Sequence, residues 1–425
     1  MLKKLKLQPF FDLLPVRLDQ ALTSRKIRKW RVERQRSRTV QSARSVTETP
    51  RRLFIDLAVI SKHDAGTGIQ RVVRALALAL TRQAPADWEI RFVAADRRKA
   101  YHNISWPEPG LIVDAGALLT ARPGDVFLGL DFALDTTRRY RGQLAEFRRQ
   151  GGQLWFLVCD LLPAERPEWF SPNNVIRYKA WLEIIAGISD GFLCISDQTE
   201  ADLRRVLDQH YGVVDGYRTC VVPMGYSIKE SVLRDPAPGS SAAPPRLNVS
   251  FPFSLMVGTL EPRKGHADVL NAFDELWRQG MDHRLVLVGR QGWHTQDLRN
   301  VIRTHPEHGG KLIWLDDVED AELERIYEAC EGVIIGSHAE GFGLPLIEAL
   351  GHDKPVLARD LPIFRAHEKL GVRYFPASAS PQILAQCIRK WSEEIRVGGI
   401  SVKRPSTGWQ ESTRTVLAAV TSTGQ

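Results

Sequence analysis

Two glutamates, Glu340 and Glu348, flank the run Gly341-Phe342-Gly343-Leu344-Pro345, and that insert gives the pair its meaning. Glycine-flanked backbone ahead of an apolar stretch can turn a chain into a helix. Pro345 suits the first turn, because its missing N–H would have no partner there. Glu340 then stands in the loop at the helix mouth, and Glu348 about one turn in. The first amides of a helix face outward and favour anions, so such a corner can hold a phosphate on its backbone and hydroxyls on its carboxylates. The same two carboxylates can also serve as a general acid and base, and their spacing alone does not choose between the roles.

Other polar residues stand at the ends of apolar runs. Gly258-Thr259-Leu260-Glu261-Pro262-Arg263-Lys264-Gly265 places two adjacent cations at a strand end. That suits a diphosphate, with Lys264 as a point charge and Arg263 as a planar fork, although an exposed basic loop is the plainer reading. Trp293 and His294 either line a site or, for Trp293, cap a sheet. Asp316 and Asp317 either contact a base or cap the helix that starts near residue 320. Asp131 and Asp160 end strands, and each can equally be a turn residue; Ser196 reads as an N-cap. Gly66-Thr67-Gly68 follows the first strand, but the third glycine and the acidic residue of a dinucleotide fingerprint are missing, which speaks against a dehydrogenase. No metal-ligand spacing, Walker loop or G-x-S-x-G elbow is present.

The elements that must position these residues alternate. Strand patterns at residues 53–60, 89–94, 125–130, 153–158, 191–195 and 220–222 are interleaved with helical patterns at 69–82, 137–150, 174–188 and 198–209. A second series has strands at 253–257, 284–288, 311–315, 333–335 and 355–357, and helices at 266–278, 295–304, 320–329 and 344–350. Helices at 381–395 and 409–420 follow. Alternation of this kind predicts α/β architecture with parallel sheets, in two Rossmann-like domains facing a central cleft. The expected division is a basic N-terminal extension at 1–50, a domain at 51–235, a Pro/Gly/Ser-rich linker at 236–250, a domain at 251–400 and a C-terminal helix at 401–425 that crosses back to the first domain.

With 43% hydrophobic and 25% charged residues the chain is an ordinary globular one, and no apolar run reaches the length of a membrane span. The five cysteines show no CxxC spacing and read as reduced thiols, which argues for a cytoplasmic chain. Residues 1–50 hold thirteen Lys or Arg against four acidic residues, a surplus larger than the net +8 of the whole chain. The folded body is therefore near neutral, and nucleic acid is not an expected partner. The basic stretch reads as a solvated arm. Its sharper reading has Phe10, Phe11, Leu13, Leu14 and Val16 on an anionic membrane surface, at the inner face of the plasma membrane.

The segments VGTLEPRKG, LVLVGRQGWH, IWLDDVEDAELERIYEAC and AEGFGLPLIEALG, in that order, resemble the retaining glycosyltransferases of the GT-B fold. The likeness is to family 4, and within it to mannosyltransferase-like enzymes of bacterial surface-polysaccharide synthesis. TGIQRVVR and DLLP resemble the same subgroup. The resemblance implies that Glu348 binds the ribose of a nucleotide sugar and Glu340 the donor sugar. The amides of Phe342, Gly343 and Leu344, with Gly341 beside them, would face sugar and phosphate. Lys264 and Arg263 would neutralise the departing diphosphate, and Gly66, Thr67 and Gly68 would approach the phosphates. Thr259, Asp317 and Val318 complete the implied donor contacts, and Asp160 joins Lys264, Arg263 and Glu340 in the implied catalytic set. No catalytic metal or other cofactor is implied, because the leaving phosphate itself assists deprotonation of the acceptor.

Two departures stand out: Thr259 where many relatives carry arginine, and Cys159 where many carry histidine. The expectation is a retaining hexosyltransferase, with mannose from GDP-mannose ahead of UDP-glucose or UDP-galactose, acting on a polysaccharide or lipid-linked glycan. Its rival is a catalytically weak scaffold that recruits enzymes or membrane through the basic arm. On this reading Glu340 and Glu348 are hydroxyl-binding positions rather than an acid/base pair.

Overall fold

A computed structural model of the chain describes residues 24–37, 50–107, 115–228 and 251–421. They fall into two compact units. Unit one takes the residues up to Asp64, Leu80–Val222 and those from Val416 on; unit two takes Ala65–Ala79 and Pro223–Thr415. The boundaries therefore differ from the expected ones. A piece of the first helical segment belongs with the second unit, and the expected linker lies outside the described residues.

In unit one the strands are β1 Arg51–Asp56, β2 Trp88–Ala94, β3 His102–Ile104, β4 Val126–Gly129, β5 Gln153–Val158, β6 Gly191–Cys194 and β7 Arg218–Val221. They lie in the order β3-β2-β1-β4-β5-β6-β7. β3 pairs antiparallel, and the other pairings are parallel. β4, β5 and β6 are buried along their whole length, as strands covered on both faces must be. The helices, in chain order, are α1 Arg25–Ser37, α2 Gly68–Gln83, which counts with unit two as far as Ala79, α3 Leu134–Arg139, α4 Arg141–Arg149, α5 Leu162–Glu165, α6 Pro172–Ile188 and α7 Asp197–Val206.

Three expectations are corrected here. Arg25–Ser37 is not a solvated arm but a helix seated on unit one. Val32 is buried, Arg31 pairs with Glu183 at 3.4 Å, and an Arg36 guanidinium N–H donates to the Ala186 carbonyl at 2.7 Å. Phe10, Phe11 and the other apolar residues of the arm lie outside the described residues. The apolar run 53–60 leaves the sheet after Asp56, because two buried carboxylates capture its amides. Asp56 accepts from Ala58 N at 2.9 Å, and Asp131 accepts from Val59 N at 2.6 Å and Ile60 N at 2.8 Å. The single helix expected at 137–150 is two, broken at Tyr140. Ser196 does cap α7, accepting from Thr199 N at 3.1 Å.

Unit two carries β8 Phe253–Val257, β9 Arg284–Val288, β10 Leu312–Leu315, β11 Gly332–Ile335, β12 Val356–Arg359 and β13 Val372–Phe375. Their order is β10-β9-β8-β11-β12-β13, parallel throughout. Numbered along this series it is the doubly wound order 3-2-1-4-5-6, and it reverses direction between β8 and β11. The helices are α8 His266–Arg278, α9 Gln296–Thr304, α10 Asp320–Ala329, α11 Leu344–Gly351, α12 Pro362–Arg365, α13 Pro381–Arg396 and α14 Trp409–Thr421. The first part of α14 is tied to unit two, with Trp409 Nε1 donating to the Ser227 carbonyl at 3.0 Å. Its last turns count with unit one, where an Arg218 guanidinium N–H donates to the Ala419 carbonyl at 3.3 Å.

Candidate active site

The reversal between β8 and β11 decides what meets in unit two. Open α/β sheets bind ligands beyond the carboxyl ends of their strands, where the connections diverge. The loop after β8 carries Thr259, Arg263 and Lys264, and the loop after β11 carries Ser337–Gly343. Gly265 lets the two loops touch: at φ 68° it lies in the left-handed region, and a Cβ there would fall 2.1 Å from the Gly336 carbonyl oxygen. The His338 N–H donates to the Arg263 carbonyl at 2.7 Å and ties the loops together.

The cations and Glu340 meet at this junction. Lys264 Nζ lies 2.5 Å from Glu340 Oε1, and Arg263 Nη1 lies 3.3 Å from Oε2. Ser337 donates its hydroxyl to Oε1 at 2.6 Å, and Arg263 Nε also donates to Glu261 at 2.9 Å. Burial alone would push the Glu340 carboxyl up, but the charges of Lys264 and Arg263 outweigh it and hold the group down at about 2. Burial likewise pulls the Lys264 ammonium below its usual range, against the opposing pull of Glu340. The site thus holds a strongly ionised carboxylate between two largely buried cations.

α11 starts beside this cluster. Gly343 precedes it at φ 93°, with no side chain capping the first amides. A Cβ on Gly343 would fall 2.5 Å from Phe364 Cε1, so both backbone and space require glycine here. The open N-terminus adds a partial positive charge next to Lys264 and Arg263.

Glu348, one turn in, is buried, and both of its carboxylate oxygens are engaged. Its Oε1 accepts from Arg71 Nη2 at 2.9 Å, and its Oε2 accepts from the Tyr327 hydroxyl at 2.9 Å. Tyr327 in turn stacks on His352 with ring centroids 5.1 Å apart. Arg74, one turn beyond Arg71 on α2, pairs with Asp320 at 2.6 Å. Arg71, Arg74, Tyr327 and Asp320 were not among the sequence candidates. Their charges and spacing on one face of α2 were visible, but partners hundreds of residues away were not.

The remaining candidates divide. Gly66, Thr67 and Gly68 belong to unit two, and Gly66 takes a left-handed φ of 64°. Thr67 and Gln70 form a reciprocal capping box at the start of α2: Gln70 N donates to Thr67 Oγ1 at 3.4 Å, and Thr67 N donates to Gln70 Oε1 at 3.3 Å. The T-x-x-Q spacing was the signal for it. A Cβ on Gly68 would lie 3.4 Å from Leu344, so the first turn of α2 rests against the first turn of α11. Thr259 is half-buried, Val318 likewise, and Asp316 and Asp317 are exposed. Neither aspartate caps α10, whose N-cap is Glu319; Asp317 pairs instead with Arg290 at 2.8 Å. Trp293 leans on His294 with ring centroids 4.7 Å apart.

Asp160 stands in unit one, where it accepts from Leu162 N at 3.0 Å and starts a short turn. Burial pushes the neighbouring Cys159 thiol far above its usual range, so it is inert as a nucleophile. All five cysteines are free.

Solved structures match across both units. Sucrose-phosphate synthase from Thermosynechococcus elongatus aligns with a TM-score of 0.54 at 18% identity, over 87% of this chain and 95% of that one. The Anabaena Alr3699/HepE structure in complex with UDP and glucose aligns with a TM-score of 0.53 at 15% identity, over the same shares. The fold is GT-B. Within it, residues 241–395 match the family described as glycosyl transferases group 1, a segment that contains both site loops and α11. Among curated proteins, the serotype-specific mannosyltransferase WbdA of Escherichia coli is 32% identical over 348 residues, covering 80% of this chain. The chain spans only 41% of that relative's length.

Proposed function

We propose that the chain is a retaining glycosyltransferase that moves a hexose, mannose from GDP-mannose first, from a nucleotide sugar to a polysaccharide or lipid-linked glycan. The observation that carries this reading is the meeting of Lys264, Arg263 and Glu340 beside the uncapped N-terminus of α11 at the sheet's reversal point. Two fixed cations and a helix N-terminus, in a poorly hydrated site, stabilise charge growing on a departing diphosphate. They supply that charge without a metal ion. Glu340 would accept from donor-sugar hydroxyls and Glu348 from the ribose. Likeness to a mannosyltransferase supports mannose as the sugar.

A panel of GDP-mannose, UDP-glucose and UDP-galactose, with hydrolysis and transfer followed by NMR, tests the reading. Turnover of GDP-mannose with the anomeric configuration kept is the expected result. Turnover of a UDP sugar alone would move the assignment to that donor. Inertness of the folded protein toward all three would leave the scaffold reading.

Among the described residues no helix is long and apolar enough to cross a membrane. The outward face of α1 nevertheless exposes Ile27 and Trp30, with the Arg34 guanidinium 5.0 Å from the Trp30 ring. Burial, and then Arg25, Lys179, Arg28 and Arg205, lower the pKa of His210, which marks a cationic surface around the same helix. An aromatic and basic face of this kind supports peripheral docking on an anionic membrane at its cytoplasmic side.

A further inference from the structure

Arg71 is 7% exposed, yet the donors on its Nε and Nη1 have no partner among the described residues. Among those residues Nη2 alone is engaged, on Glu348. A guanidinium offers five N–H donors, and leaving buried ones unmet is costly, so a site that keeps one half-used is shaped for an acceptor still to come. The surroundings say which kind of acceptor. Gly68 meets Leu344, and Arg71 meets Glu348 one turn further along both helices. α2 and α11 therefore bring their N-terminal ends together, and two positive helix poles side by side repel unless an anion lies near them.

We propose that Arg71 is a donor-binding residue. Its Nη2 holds Glu348 for the ribose, while Nε and Nη1 donate to an oxygen of the nucleotide's diphosphate. The inference rests on the reading that this site takes a nucleotide sugar. In the structure Arg71 and Tyr327 engage the carboxylate that the ribose needs. Binding then exchanges part of the Arg71–Glu348 contact for a ribose hydroxyl on Glu348 and a phosphate oxygen on Arg71. Every donor and acceptor in the exchange finds a partner. Lysine at this position would keep the charge but lose the fork that reaches both groups at once.

Calorimetry on the full chain separates the possibilities, with GDP and UDP as probes and guanosine and uridine as their phosphate-free controls. Arg71→Gln should weaken binding of the diphosphate on the order of ten- to hundred-fold, the range for a lost hydrogen bond to a charged group. Nucleoside binding should change several-fold less, and Arg71→Lys should recover only part of the loss. Because Arg71→Gln leaves Glu348 buried without its counter-ion, the double variant Arg71→Gln/Glu348→Gln is compared with Glu348→Gln alone. A further loss of diphosphate affinity in the double variant isolates what Arg71 itself contributes. Equal losses for nucleoside and diphosphate, or no added loss in the double variant, would overturn the proposal and leave Arg71 a counter-ion only. If Glu348→Gln binds all four probes as the natural chain does, the ribose assignment fails instead. Absence of any nucleotide binding by the natural chain would overturn both.

Discussion

The carboxylates of the Glu-x7-Glu pattern are held by different means, and they should fail differently when removed. Glu348 lies in a buried pair, so Glu348→Ala strands Arg71 and removes the proposed ribose acceptor; nucleotide affinity by calorimetry should fall about ten-fold or more. On the proposed reading Lys264 would face charge that develops only as the diphosphate leaves. Lys264→Ala should therefore lower kcat by on the order of a hundred-fold while KM changes little, in a steady-state assay with the accepted donor. A fall in KM-based affinity with unchanged kcat would assign Lys264 to ground-state binding. Gly343 offers a third test: alanine there meets both a left-handed φ and the Phe364 ring. Gly343→Ala should cost about 2 kcal/mol or more of stability, read from the urea midpoint.

Among the elements, α8 concentrates an acid sensitivity. His266 in its first turn is buried with neither ring nitrogen bonded among the described residues, and burial followed by Lys264 holds its pKa at about 3. Burial and then Arg396 hold His283, just ahead of β9, at about 4. Both are neutral in the fold and take a proton readily once unfolded, so their contribution is present above about pH 6.5 and lost as pH falls toward their folded values. The slope is roughly 1.4 kcal/mol per pH unit for each group within that window. Urea titrations should show the loss beginning near pH 6.5, and His266→Asn should flatten it. Glu340, depressed to about 2, adds its own loss only below about pH 4.5, so Glu340→Gln should change the curve there and leave the stretch between about pH 4.5 and 6.5, where the histidines alone act, as it is.

Much of this level was legible beforehand. The apolar runs of β5, β8 and β9, and the patterns of α8 and α10, ended where composition said they would, because Gly, Pro or polar clusters bound them. The run 53–60 misled, since alternation cannot show that Asp131 will take its amides. β13, only four residues with burial at its two ends and none of the period-two alternation of a strand, offered too little pattern to notice. The partners of Arg71 and Arg74 are tertiary facts with no local signature.

For the molecule as a whole, charge is segregated: the basic surplus sits before residue 51, and part of it is the seated helix α1. Liposome sedimentation should therefore depend on that stretch. Removing residues 1–37, or Trp30→Glu alone, should abolish binding to vesicles rich in anionic lipid, and added salt should weaken binding of the natural chain. Binding unaffected by either change would remove the membrane reading. The division into units has a consequence for recombination among related chains. Residues 65–79 belong with a unit whose bulk begins at Pro223, and α14 is shared at Thr415 and Val416. A single crossover in the stretch 229–250 would thus part Arg71 from Glu348 and Arg74 from Asp320, and would leave the last turns of α14 against an Arg218 from the other parent. Chimaeras joined there should inherit mismatched ion pairs and fold poorly. Exchanges that carry residues 65–79 and cut within α14 should keep their partners, so on the proposed reading donor preference would travel between homologues as two pieces of sequence rather than one.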